Sequence, residues 1–309
     1  MIVTITMNPS IDISYPLESF QLNTVNRLSN TRKTAGGKGL NVTRVLKQLN
    51  HEVIASGLLG GYVGEGIKTE LNAASISHQF AEISGNTRNC IAILHEGKQT
   101  EILESGPIIQ AEEVQSFLTQ LDDMIPTAEV LTISGSLPQG VPEDFYVEVI
   151  KRCKDFEKPV VLDCSGKALQ QVLSSPYKPY LIKPNQEELS ELLGISLEDT
   201  ASIKDALMND LFTGIQWVVI SLGAQGAVAK HQDTFYRVTI PKIDVENPVG
   251  SGDATVAGFA AAIAEGKDAK ALLKRGNVLG MLNAQEAVTG AVNLANYQQL
   301  FDQIEVTTF

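Results

Sequence analysis

Short apolar runs rich in β-branched residues recur along the chain, separated by stretches with helical spacing. Ile2–Met7, Val53–Leu58, Val130–Ser134, Val160–Asp163, Tyr180–Lys183 and Trp217–Ser221 read as strands buried on both faces. Between them Val42, Val45, Leu46 and Leu49 recur at i, i+3, i+4 and i+7, and Val114, Phe117, Leu118 and Leu121 repeat the pattern. Each set lays one apolar stripe along a helix. Strand–helix alternation of this kind predicts an α/β fold, a mainly parallel sheet covered by helices on both faces.

Two segments break the alternation. Residues 10–34 follow the first strand without a helical pattern, and residues 88–103 read as a hairpin: Cys90–His95, a turn at Glu96–Gly97, then Lys98–Leu103. Neither fits inside a doubly wound sheet. Together they predict a small β-layer over the ends of the parallel strands, where open α/β sheets bind their ligands. No Pro/Ser-rich linker divides the chain. Residues 1–309 are therefore expected to form one domain, with a lid over roughly 10–34 and 86–104.

The net charge of −12 argues against a nucleic-acid or anionic-membrane surface, since both need a basic footprint. An anionic small substrate would have to be met locally, by a few placed cations and by helix N-termini. Cys90, Cys153 and Cys164 are widely spaced and form no CxxC pair, so neither a disulfide framework nor a zinc site is expected, and a reducing cytoplasm fits. The longest apolar run, Ala254–Ala264, is too short to span a bilayer.

The most informative stretch is Asn247-Pro248-Val249-Gly250-Ser251-Gly252-Asp253, followed by the strongly helical Ala254–Ala264. A glycine turn entering a helix offers free backbone N–H groups and the positive end of the helix dipole to an anion. Asp253 falls in the first turn. It fits a helix cap, and it equally fits a general base beside an N–H cradle for a phosphoryl group. Walker A does not occur, because Gly36-Gly37-Lys38-Gly39 has the wrong spacing, and a GxGxxG fingerprint fails because Thr255 stands at its third glycine.

This stretch resembles the C-terminal signature of the ribokinase/phosphofructokinase-B sugar kinases, usually written around DT-x-GAGD, with Asn-Pro-Val and Ser251 as departures. At the other end, Asp12 of Asn8-Pro9-Ser10-Ile11-Asp12 and the segment Gly36-Gly37-Lys38-Gly39-Leu40-Asn41 resemble that family's N-terminal pattern. The resemblance runs through the whole chain. It implies a ribokinase-like three-layer α/β/α sandwich with a small β-sheet lid, and transfer of phosphate from ATP with Mg²⁺. Asp253 would be the base, and the N–H groups of Gly250, Ser251 and Gly252 the anion hole. Asp12, Gly37 and Asn41 would bind sugar.

Other roles follow the same resemblance. Lys38, Arg27 and Arg88 would meet the phosphate of a sugar phosphate, and Ser136 of the Gly-Ser-Leu-Pro segment would also contact the substrate; Arg27 and Arg88 also read as solvated surface arginines. Lys183, Ser221, Gly223, Gly226 and Asn277 would face the nucleotide. Asn185 and Glu188 match an Asn-x-x-Glu motif that holds Mg²⁺ largely through water, and they equally spell a helix capping box. Thr87–His95 and Asn277–Glu286 are similar to the family's tagatose-phosphate subgroup, so tagatose 6-phosphate is the expected substrate, with fructose 1-phosphate and fructose 6-phosphate as alternatives. A non-catalytic sugar-phosphate sensor is the reading from another class. The open edge of the lid hairpin predicts a homodimer.

Overall fold

The structure, a computed structural model, describes residues 1–309. In chain order its strands are β1 (Ile2–Thr6), β2 (Ser10–Leu17), β3 (Arg32–Gly36), β4 (Val53–Leu59), β5 (Ser77–Glu82), β6 (Arg88–His95) and β7 (Lys98–Leu103). The second half adds β8 (Val130–Ser134), β9 (Val160–Asp163), β10 (Leu181–Ile182), β11 (Trp217–Ser221), β12 (Ala227–His231), β13 (Thr234–Thr239) and β14 (Glu305–Thr308). The helices are α1 (Lys38–Gln48), α2 (Gly61–Ala73), α3 (Ala111–Met124), α4 (Phe145–Asp155), α5 (Gly166–Ser174), α6 (Gln186–Leu193), α7 (Thr200–Leu207), α8 (Ser251–Ala264), α9 (Ala269–Ala284) and α10 (Tyr297–Gln303).

Ten strands form the main sheet in the order β14-β13-β12-β11-β10-β9-β8-β1-β4-β5. Seven of them, β11 through β5, run parallel. Period-two alternation divides their side chains between two cores. Val3 and Ile5 of β1 join Phe117, Leu121 and Tyr146 from α3 and α4 on one face. Ile2 packs with Val45, Ala257 and Leu279 from α1, α8 and α9 on the other. This is the expected three-layer sandwich, and α/β packing of this kind explains why the central strands are apolar on both sides.

The edges depart from the sequence reading. Three antiparallel strands, β12 to β14, extend the sheet beyond β11, and β5 closes the other side. Edge strands are half-solvated, so Ser77–Glu82 and Glu305–Thr308 carry polar residues and no apolar run. The strand expected over Tyr180–Lys183 is only Leu181–Ile182 long, continued by an isolated bridge from Asn185 to Ser221.

The two segments that broke the alternation form a second sheet, ordered β3-β2-β6-β7. It is rooted where β1 leads into β2, where β5 leads into β6, and where β3 runs into α1. It therefore stands over the carboxyl ends of the central parallel strands. Residues between β2 and β3 have no regular structure, and Leu22 and Val25 there are exposed.

Candidate active site

Between the small sheet and the carboxyl ends of the parallel strands lies a cavity of about 980 Å³. Its floor is the turn into α8. Gly250 caps that helix in the left-handed region, at φ 84°. A Cβ there would come within 2.4 Å of Thr289 Cγ2, so both conformation and space require glycine. Ser251 N–H closes the turn onto Pro248 O at 3.2 Å, which corrects the expected set of anion donors. The amides without a protein partner are those of Gly250, Gly252 and Asp253. Ser251 contributes instead a buried, unpartnered Oγ.

Asp253 follows directly and is only 6% exposed. Asn41 Nδ2, reaching across from α1, donates to its Oδ2 at 2.7 Å. The other carboxylate oxygen takes no protein donor. Burial pushes the carboxyl up to about 7, and the negative charge of Asp163 adds to the shift. The Asn41 hydrogen bond, Lys38 and Lys183 oppose it.

Asp163 ends β9 and was not anticipated. Its Oδ1 lies 3.3 Å from Lys183 Nζ and its Oδ2 3.9 Å from Lys38 Nζ. The Lys38 ammonium is half-exposed, and its pKa is raised mainly by Asp163. A Cβ on Gly252 would sit 3.4 Å from Lys183 Nζ, so this second ammonium stands beside the anion turn. An acidic residue closing a buried strand at the ligand-binding edge of a parallel sheet was the available signal.

Asp12 lines the cavity from β2, with Ser10 Oγ donating to its Oδ1 at 2.7 Å, and burial raises its pKa. Gly36 makes room for it: a Cβ there would overlap the Asp12 carboxyl at 2.1–2.3 Å. Gly37 caps α1 at φ 102°. Arg88 also lines the cavity, but its guanidinium donates to Glu104 O at 2.9 Å and to Asn8 O at 3.1 Å. Arg32 and Thr34 of β3 share the same wall and were missed.

Two expected residues stand apart from the rest. Arg27 is exposed on the β2–β3 connection, and Ser136 is exposed after β8; neither lines the cavity. Their sequence surroundings gave no information about which way these loops face.

The far half of the cavity is lined by Lys183, Asn185, Glu188, Ser221, Gly223 and Gly226, with Asn277 from α9. Gly226 sits at φ 84°, where a Cβ would strike Val238 O at 2.2 Å. Asn277 Nδ2 donates back to Leu273 O at 2.8 Å, which leaves its oxygen and its second N–H uncommitted. Asn185 and Glu188 form a reciprocal capping box, each side chain bonded to the other's backbone N–H at 2.8 Å. That box engages the Asn185 side-chain oxygen, while one oxygen of the Glu188 carboxylate remains free. No group of three His, Cys, Asp or Glu side chains is arranged to hold a metal ion, and no helix is long and apolar enough to cross a membrane.

Residues 5–295 match the family model described as pfkB family carbohydrate kinase. Among solved structures, a Staphylococcus aureus protein provisionally named a phosphofructokinase is 31% identical, with 100% of this chain and 99% of that one covered and a TM-score of 0.86. A Thermotoga maritima protein provisionally named 1-phosphofructokinase is 26% identical, with coverage of 100% and 99% and a TM-score of 0.90. Phosphofructokinase-2 from Escherichia coli, in complex with substrates and products, is 26% identical over 97% and 98% of the two chains, with a TM-score of 0.88.

Proposed function

The chain belongs to the pfkB family of carbohydrate kinases, and from that premise we propose that it transfers the γ-phosphoryl group of ATP to a primary hydroxyl of a ketohexose phosphate, with Asp253 as general base. The observation that carries this reading is the buried Asp253 carboxyl, raised to about 7, directly after a turn with free amides at Gly250 and Gly252. A base titrating near neutral pH is deprotonated for part of its time yet basic enough to accept a hydroxyl proton.

The chain's own groups supply the steps. Asp12 and Asn41 orient the sugar. Asp253 takes the proton from the attacking hydroxyl as its oxygen bonds to the γ-phosphorus and the bond to the β–γ bridging oxygen breaks. The free amides and the ammonium of Lys183 meet the charge on the migrating group, the kind of electrostatic positioning on which phosphoryl transfer depends. Glu188, with an uncommitted carboxylate oxygen on the cavity wall, would hold a Mg²⁺ ion, largely through water. When bound, that ion neutralises phosphate charge. The nucleotide occupies the half of the cavity lined by Ser221, Gly223, Gly226 and Asn277, and Lys38 and Arg88 meet the phosphate already on the sugar.

We take tagatose 6-phosphate as the acceptor, on the similarity of Thr87–His95 and Asn277–Glu286 to that subgroup. Fructose 1-phosphate and fructose 6-phosphate form the second reading, favoured by the names of the Thermotoga maritima and Escherichia coli relatives. Measuring ADP release with each of the three sugar phosphates tests both: the highest kcat/KM identifies the acceptor, and no release with any of them leaves only a sugar-phosphate sensor. The exposed β7 edge and the outward-facing Leu22 and Val25 support association of two copies through the small sheet. The three free thiols fit a cytoplasmic enzyme.

A further inference from the structure

Arg44 lies in α1, one turn beyond Asn41, and does not line the cavity. Arg44 is half-buried, with its guanidinium Nε fully enclosed, and makes no salt bridge to any carboxylate. It donates to Ala35 O and to Asn41 Oδ1, and at 3.2 Å to Thr289 O. Its Nε is buried with no partner. Gly290 makes room for it, since a Cβ there would lie 3.0 Å from Nε. Spending a half-buried cation on three neutral oxygens is costly unless the geometry it imposes has a use.

The chemistry of the partners defines that geometry. A guanidinium only donates and an ionised carboxylate only accepts. Asn41 stands between one of each, so its oxygen must face Arg44 and its Nδ2 must face Asp253. Turned over, the amide would set its oxygen against the Asp253 carboxylate, an arrangement that suits only the protonated acid. The third acceptor links the same cation to the anion turn. Beside Thr289, Gly290 N–H donates to Asn283 Oδ1 at 2.8 Å, and Asn283 Nδ2 donates to Val249 O at 3.0 Å, immediately before Gly250. Gln48, one turn after Arg44, grips the same loop through Gly290 O and Val292 N.

We propose that Arg44 is a positioning residue that locks the Asn41 amide with its N–H toward Asp253 and ties the end of β3 at Ala35 to the loop that braces the anion turn. The assignment rests on the reading of Asp253 as the base. The charged groups facing Asp253 are Asp163, Lys38, Lys183 and Arg44 itself; those facing Arg44 are Glu70, Asp12 and Asp253.

The test is the titration of the Asp253 carboxyl by carbon-13 NMR, the resonance identified by its loss in Asp253→Asn. Arg44→Met should move the midpoint upward by about one pH unit, the equivalent of one charge-assisted hydrogen bond to the carboxylate. In an Asn41→Ala background the same substitution should move it by less than roughly a third of that, leaving only the direct effect of the lost charge. An unmoved midpoint, or equal shifts in both backgrounds, overturns the proposal. Should Arg44→Met fail to fold, Arg44→Lys decides alone. It keeps the charge but lacks the planar fork, so a smaller upward shift is expected and a wild-type midpoint overturns the assignment. Turnover of Asp253→Asn separates the two claims: normal turnover removes the base reading, whereas the titration reports on Arg44 whatever that turnover is.

Discussion

Lys183 Nζ lies 3.3 Å from Asp163 Oδ1, and both side chains are almost wholly buried. One strand-end carboxylate thereby steadies an ammonium beside the anion turn and, through its other oxygen, reaches Lys38 as well. The same carboxylate helps to hold the Asp253 pKa high. Asp163→Asn has two separable consequences. It leaves the Lys183 charge buried without its partner, a loss of about 3 kcal/mol read as a lower denaturation midpoint. It also removes a negative charge from the surroundings of Asp253, so the acid limb of the kcat–pH profile should move to lower pH. A move to higher pH would contradict this arrangement.

The Asp253 pKa makes a prediction about stability whose sign is fixed by linkage. A carboxyl raised from 3.8 to about 7 on folding binds its proton more tightly in the folded chain. Its favourable contribution is complete below the unfolded value and is lost as pH rises from about 4 through about 7. Asp253→Asn, which cannot ionise, should therefore be more heat-stable than the wild type at pH 8. The expected gain is on the order of 2 °C in Tm for each kcal/mol of relieved strain. The gain should vanish at pH 4, and thermal unfolding at the two pH values checks it.

Arg88 binds two backbone carbonyls and lines the cavity, so its removal separates a substrate contact from a structural brace. Arg88→Ala should raise KM for the sugar phosphate on the order of tenfold, with KM for ATP nearly unchanged. Equal rises in both constants would assign Arg88 to holding the small sheet in place.

Gly250→Ala tests the anion turn while leaving every charged side chain of the cavity in place. The left-handed φ of 84° costs an alanine about 1–2 kcal/mol, and its Cβ would meet Thr289. Displacing the turn should lower kcat by more than tenfold with a smaller effect on the sugar-phosphate KM, as initial-rate kinetics would show.

Legibility in the sequence followed burial. Val130–Ser134, Val160–Asp163 and Trp217–Ser221 were readable to the residue, because strands covered on both faces are rich in apolar, β-branched residues and end in a polar one. β5 and β14 were not, because edge strands share their composition with loops. In the site, Asn41 and Asp253 stand out by the glycines before them and Asp12 by the Asn8-Pro9 at the end of the first strand, and all three line the cavity. Arg44 was hidden by a helical position that passes for surface charge, and its bond to Thr289 O, 245 residues away, has no trace in the local sequence. Arg27 and Ser136 lie on irregular segments, are exposed and do not line the cavity; neither the first lid segment nor the Gly-Ser-Leu-Pro motif tells in which direction such a segment carries its side chain.

The measurement that bears most directly on the account is the steady-state turnover of Asp253→Asn with ATP, Mg²⁺ and the best of the three sugar phosphates. A folded variant whose kcat falls by about 10²–10⁴-fold while both KM values change little is the predicted result, the usual loss for a general base. Turnover within a fewfold of wild type would contradict it.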